Sequence, residues 1–303
     1  MADSVATTVT SRTLAAFETL PCLAGSRGWC AAAAGIVEAT AAKPGNVHPG
    51  ASFPDLAYDD LVAAAVAIAP AIDRAAATPV GDTILAAVEA ARAATDTNAN
   101  FGIVLLTAPL AAVPDGEPLD AAAVARVLAR LDAGDAAAIW RAIARARPGG
   151  MGRVASDDVA GPPPDDIRAA MRAAAGRDRI AALWAHGFEP LFAGPVADLA
   201  AAVDAGLPLL DAVVDCHVRQ LAREPDSLIG RRHGADIAAL VSAAAAEMPP
   251  AGDPGRPAAL ARFDRMLRIP ARRNPGTTAD LVAAALYILF RTGRVCPPRF
   301  GVA

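Results

Sequence analysis

Apolar residues recur every three or four positions along most of this chain, and that period admits helices and little else. Val124, Val127, Leu128 and Leu131 fall at i, i+3, i+4 and i+7, and Ile84, Leu85, Val88 and Ala91 share one face in the same way. No segment alternates apolar and polar residues as a half-buried strand does, and the β-branched runs of a parallel sheet are missing. Caps and breakers punctuate the pattern, among them Asp82 before Thr83-Ile84, Asp135 before an alanine run and Pro208 before Leu209. The expected fold class is all-α, a single multi-helix bundle of roughly a dozen helices. The spacing predicts helices over 26–42, 59–77, 82–94, 101–113, 119–132, 135–147, 165–186, 196–206, 208–223, 234–247, 257–268 and 277–292, with loops at 43–54, 148–164 and 248–257. Residues 1–25 read as an N-terminal extension and 26–295 as one helical domain. Pro148 to Pro164 has the composition of a linker. Distinctive polar segments lie on both sides of it and converge only if the halves pack together, so a long crossing loop is the preferred reading.

Hydrophobic residues make up 54% of the 303 residues but aromatics only 4%, so the core has to be built from Ala, Leu, Val and Ile. The net charge of −4 supplies no basic field, which argues against general binding of nucleic acid or of an anionic membrane. The longest apolar runs, Leu61 to Ile72 and Leu281 to Phe290, are shorter than the ~20 residues a membrane span needs. Asp3 stands where a secretory signal would carry basic residues, so a cytoplasmic location is expected. Cys22, Cys30, Cys216 and Cys296 form neither a C-x-x-C pair nor a Cys/His quartet, and read as reduced structural thiols.

Against this background two residue types are conspicuous by position. Of 28 Lys and Arg residues one is lysine, Lys43, and the four asparagines are Asn46, Asn98, Asn100 and Asn274. A composition that replaces Lys with Arg wherever either will serve should keep Lys only where a compact ammonium is needed. The amide of Asn, with both donors and an acceptor, has no charged substitute. These residues mark three segments, and a fourth of similar character starts at Asp226. In Lys43-Pro44-Gly45-Asn46, Pro44 ends the preceding helix and Gly45 admits close approach; a phosphate-binding corner and a plain helix stop both fit. Glu38, isolated in an apolar helix, needs a cation or metal partner. Thr97-Asn98-Ala99-Asn100-Phe101-Gly102 opens a helix with more hydrogen-bonding groups than one cap requires, which suits an anion. Asp226 precedes Arg231-Arg232-His233, where Arg suits phosphate and Asp suits Mg²⁺, although a solvated turn reads equally well. Asn274-Pro275-Gly276-Thr277-Thr278-Ala279-Asp280 places an acid in the first turn of the last helix, where the dipole alone would favour it. His48, His186 and His217 lack metal-ligand spacing, and no Ser-His-Asp arrangement, Walker loop or G-x-G-x-x-G is present.

Taken in order, the four segments resemble the triphosphoribosyl-dephospho-CoA synthase family, which makes the prosthetic-group precursor of citrate and malonate lyase carrier proteins. That family shows Glu-Val-Ser/Thr leading to Lys-Pro-Gly-Leu-Val, then Thr-Asn-Thr-His-Lys-Gly, then Asp-Thr-Asn followed by Arg-Gly-Gly, and finally Ser-Pro-Gly-Gly-Ser-Ala-Asp-Leu. The matching stretches begin at Glu38, Thr97, Asp226 and Asn274, so the resemblance covers most of residues 38–283. Ala99, Asn100 and Phe101 replace Thr, His and Lys, Leu228 replaces the third residue of Asp-Thr-Asn, and His233 replaces a glycine.

The resemblance implies that 26–295 is a catalytic domain in which the 2′-hydroxyl of dephospho-CoA, or of a related acceptor, attacks C1′ of ATP and displaces adenine. Carried over position by position, Lys43, Gly45 and Arg232 would hold phosphate. Asn98, Asn100 and Gly102 would bind the rest of the nucleotide. Glu38, Asp226 and Asp280 would be the catalytic carboxylates or ligands of Mg²⁺, with their division of labour open. ATP would be a substrate and the partners small-molecule nucleotides. The replaced His and Lys motivate an alternative, a nucleotide-binding helical protein without catalysis.

Overall fold

In the computed structural model the described residues are 25–146 and 162–296. The expected N-terminal extension, with Cys22, lies outside them except for Gly25, and so does the expected crossing loop up to residue 161. Helices are the regular structure of the described residues, and extended backbone pairs there only at two isolated bridges, His48 with Ala51 and Phe53 with Leu56. The all-α expectation holds.

The first half packs α1 (Arg27–Thr40) on α2 (Tyr58–Asp73), α2 on α3 (Val80–Thr95), and α3 on both α4 (Phe101–Ala111) and α6 (Ala133–Ala146), with α5 (Ala121–Leu128) beside α4. Small residues set the spacing of α1 and α2. A Cβ on Gly28 would stand 2.2 Å from the Ala69 carbonyl oxygen, and one on Gly35 would stand 3.0 Å from the Ala65 Cβ. The low aromatic content thus corresponds to close helix approach, in which contacts between small side chains replace bulk.

The second half comprises α7 (Ile167–Ala174), α8 (Arg179–His186) and α9, which runs from Glu189–Leu191 through a π turn at Phe192–Val196 into Ala197–Asp204. It continues with α10 (Leu209–Arg223), α11 (Ser227–His233), α12 (Ala235–Ala246), α13 (Arg256–Arg268) and α14 (Gly276–Arg291). Helix α14 is the central post: every residue from Leu281 to Phe290 is buried, against α1, α4, α9 and α10. The apolar run too short for a membrane is therefore a core helix, and no helix among the described residues is long and apolar enough to cross a membrane. A second small core, with Leu221, Ile229, Val241, Phe263 and Leu267, joins α10 to α13. Cys30 and Cys216 are buried free thiols and Cys296 an exposed one.

Two departures from the expected elements shape the site. The helix predicted over 165–186 is two helices, because Asp178 accepts the Ile180 and Ala181 amides at 2.8 and 3.0 Å and starts α8 anew. Gly176, Arg177 and Asp178 form the corner. Helix α11, expected as loop, starts where Asp226 accepts the Leu228 and Ile229 amides at 2.9 and 3.0 Å.

Candidate active site

A cavity of about 750 Å³ lies where α1, α4, α6, α7, α8, α11 and α14 meet. Glu38, Asn98, Asn100, Gly102, Arg232 and Asp280, all singled out in the sequence, line it. Lys43, Gly45 and Asp226 do not, and each has a structural duty that explains why.

Lys43 is completely buried. Its ammonium is 2.8 Å from Glu38 Oε1 and also donates to the Ala41 carbonyl at 3.2 Å and to the Glu38 carbonyl. Three N–H donors thus have three oxygen acceptors, and none is left for phosphate. In this arrangement Lys43 anchors Glu38 and does not line the cavity. His217 completes the enclosure: it is wholly buried, and burial first, then the Lys43 charge, hold its pKa far below the usual value. The cation partner expected for Glu38 is Lys43.

Gly45 has φ +78, and a Cβ there would come within 2.8 Å of Leu267 and 2.9 Å of Pro275, so glycine is required by packing. Its amide donates to Asp264 Oδ1 at 2.8 Å, which makes it a brace to α13. Asp264 also pairs with Arg268, whose guanidinium donates to the Asn46 carbonyl. The first and last segments then meet directly, Asn46 Nδ2 donating to Asn274 Oδ1 at 2.7 Å.

Asp226 is completely buried and both its oxygens are occupied. Besides capping α11 through Oδ1, it accepts at Oδ2 from the Thr278 amide at 2.7 Å and the Thr278 hydroxyl at 2.8 Å, at the N-terminus of α14. Burial pushes its pKa up, and these bonds pull it back. In this arrangement Asp226 ties two helix starts together and does not line the cavity.

Asp280, by contrast, faces the cavity, and among the described residues it meets no hydrogen-bond donor or ion-pair partner. Burial, followed by the charges of Glu38, Asp226 and Asp178, pushes its carboxyl well above the usual carboxylate range, against a smaller opposing effect of Arg231. It therefore keeps its proton to higher pH than an ordinary aspartate. Its carboxyl lies against the first turn of α4, where a Cβ on Gly102 would be 2.0 Å from Asp280 Oδ2. Gly102 thus makes the room Asp280 occupies. Asn100 is buried with φ 62 and donates to the Leu61 carbonyl at 2.9 Å, while Asn98 is exposed to the cavity.

Four guanidinium groups line the cavity. Arg231 is paired with Asp178, and Arg272 is paired with Asp55 and stacked 3.7 Å from the Phe53 ring centroid. Arg177 and Arg232 have no ion pair or hydrogen bond among the described residues and are exposed, ready for an anion. Arg177, Asp178 and Arg272 were not foreseen. Arginine is too common here to stand out, and the one signal was Gly176 within a predicted helix.

A family model described as ATP:dephospho-CoA triphosphoribosyl transferase matches residues 25–294. None of the curated proteins matches the chain. Among solved structures, a candidate triphosphoribosyl-dephospho-CoA synthase from Archaeoglobus fulgidus superposes with a TM-score of 0.61 at 23% identity, over 77% of this chain and 99% of that one. At that identity the likeness concerns the fold.

Two substitutions separate anchoring from ligand contact. Lys43→Ala strands a buried carboxylate and should destabilise the protein by about 3–5 kcal/mol in denaturant unfolding. Unchanged stability with loss of ATP binding would restore the phosphate role. Gly102→Ala displaces only the end of the Asp280 side chain, and replacing a helical glycine gains up to ~1 kcal/mol. Its melting temperature should hold while turnover falls by roughly 10²-fold, as expected when a reacting group is misplaced; undiminished turnover would remove Asp280 from the chemistry.

Proposed function

The chain belongs to the ATP:dephospho-CoA triphosphoribosyl transferase family, and on that premise we propose how its cavity carries out the transfer. It is a transferase that uses ATP as a substrate and moves the triphosphoribosyl group to dephospho-CoA; a purely nucleotide-binding role is not favoured. The observation that carries the proposal is the placing of two unlike carboxyl groups on the cavity: Glu38, ion-paired to a buried ammonium, and Asp280, which has no cation partner among the described residues and whose pKa is raised by burial. Opposed settings for two acids on one site are what acid–base division of labour requires.

In this reading the triphosphate lies along Arg232, whose planar fork suits phosphate oxygens. Asn98 and Asn100 orient the base and ribose. The bond from C1′ to the adenine nitrogen breaks as the acceptor 2′-hydroxyl oxygen closes on C1′. Asp280 hands its proton to the departing adenine, and Glu38 takes the proton of the 2′-hydroxyl.

Magnesium is expected with ATP, but Glu38, Asp226 and Asp280 do not fit it as a set. Asp226 is fully hydrogen-bonded, Glu38 is neutralised by Lys43, and among the described residues no group of three His, Cys, Asp or Glu is placed to hold a metal. An ion carried by triphosphate oxygens and water, with at most one protein carboxylate, agrees with the usual habit of Mg²⁺. No step is derived through it. The cavity draws on residues from Glu38 to Asp280, which supports 26–295 as one catalytic domain working on small nucleotides.

The test is chromatography of adenine released from ATP with dephospho-CoA, together with the mass of the product. Wild type should release one adenine per acceptor modified, and Asp280→Asn should lose about 10²–10⁴-fold in rate, the range of a general acid. ATP binding without adenine release would establish the non-catalytic alternative.

A further inference from the structure

The chemistry above uses one side of the cavity. The other side is an apolar wall built by α6, α7 and α8, with Trp140, Ile143, Ile167, Met171 and Ile180 as its large side chains. Each is covered by protein over more than nine-tenths of its surface, with exposures of 7%, 8%, 1%, 8% and 7%, so this is a packed wall with a face on the cavity and not a loose surface. Ala170 and Ala174 lie between the larger residues and open space along α7. At its end stands Arg177, a guanidinium without an acidic partner among the described residues.

We propose that this wall holds the pantetheine arm of the acceptor, with Arg177 at the acceptor's diphosphate, and that Met171, Ile143 and Ile167 select a pantetheine-bearing nucleotide. The proposal rests on the transferase reading. Dephospho-CoA is an adenosine diphosphate extended by a flexible chain with a dimethyl-substituted carbon and methylene pairs. Such a chain needs an aliphatic trough that begins beside a diphosphate contact, and the wall leading to Arg177 has that order. The competing occupant is the adenine of ATP. Adenine is a rigid plane whose ring nitrogens and amine need donors and acceptors all round its edge when buried, whereas the two amides and the hydroxyl of pantetheine are spaced along a flexible chain that can turn them towards water. The aliphatic stretch from Ile143 to Met171 and Ile180 offers none from its side chains, whereas Asn98, Asn100 and Thr277 sit elsewhere in the cavity with Asp280. A departing adenine also has to lie beside its acid. Met171, unbranched and adaptable, suits a chain that changes shape as it settles. Because pantetheine is remote from the reacting hydroxyl, its contacts would supply binding energy for orientation without touching the chemistry.

Steady-state adenine release by the full chain tests this with two variants. Met171→Ala removes apolar contact, and Ala170→Glu, at a half-buried position that spares the core, puts a carboxylate into the trough; circular dichroism and melting confirm that each is folded. For both, KM for dephospho-CoA should rise about tenfold or more, in line with the burial of one large apolar side chain, while KM for ATP moves less than about twofold. A rise confined to KM for ATP would assign the wall to adenine, and no change in either KM would leave it without a substrate; each overturns the proposal. Failure of wild type to release adenine with any acceptor is a separate outcome that sinks the transferase reading and the proposal with it.

Discussion

The carboxylate of Asp226 is the tie on which the arrangement of the site depends. It accepts two amides at the start of α11 and an amide and a hydroxyl at the start of α14, all within a fully buried space. Four unsatisfied donors would each cost about 1–3 kcal/mol in such a place, so the two helix starts are held together by what their separation would expose. Both N-termini also present the positive ends of their dipoles to the same negative charge. With α11 and α14 fixed, Arg231 and Arg232 on one and Asp280 on the other face a common cavity.

A second tie works from the opposite side. Lys43 reaches back along its own chain to the Glu38 carboxylate and two carbonyls, which turns the last turn of α1 into a closed charge cluster with one face on the cavity. A guanidinium is longer and planar and presents its donors as a fork, whereas this enclosure matches a compact ammonium. That accounts for the one lysine in an arginine-rich chain. The two ties produce unequal acids: Glu38 with a cation, Asp280 without one and crowded by neighbouring carboxylates.

The fold was largely legible because helical period survives an alanine-rich composition and nothing in the chain alternates. The site was legible where residue types were rare. Asn98, Asn100, Gly102 and Asp280 line the cavity, and Asn46 meets Asn274 across 228 positions of sequence. Roles were less legible than places. A fully buried carboxylate that ties helices and one that faces a cavity use the same residue, and only the four donors around Asp226 distinguish it from Asp280. Lys43 shows the same ambiguity, since a buried ion pair and a phosphate contact both demand an ammonium. The Gly176-Arg177-Asp178 corner escaped notice because apolar periodicity continues through it, and the break depends on one cap.

The account places both substrates in one cavity between helix starts, and hydrogen–deuterium exchange of the full chain tests that most directly. Saturating ATP and dephospho-CoA should slow exchange at residues 98–104, 177–181 and 227–233, which border the cavity, and leave 80–95 and 209–218 unchanged. Saturation that slows exchange only in the latter segments, or leaves the cavity borders untouched, would contradict it.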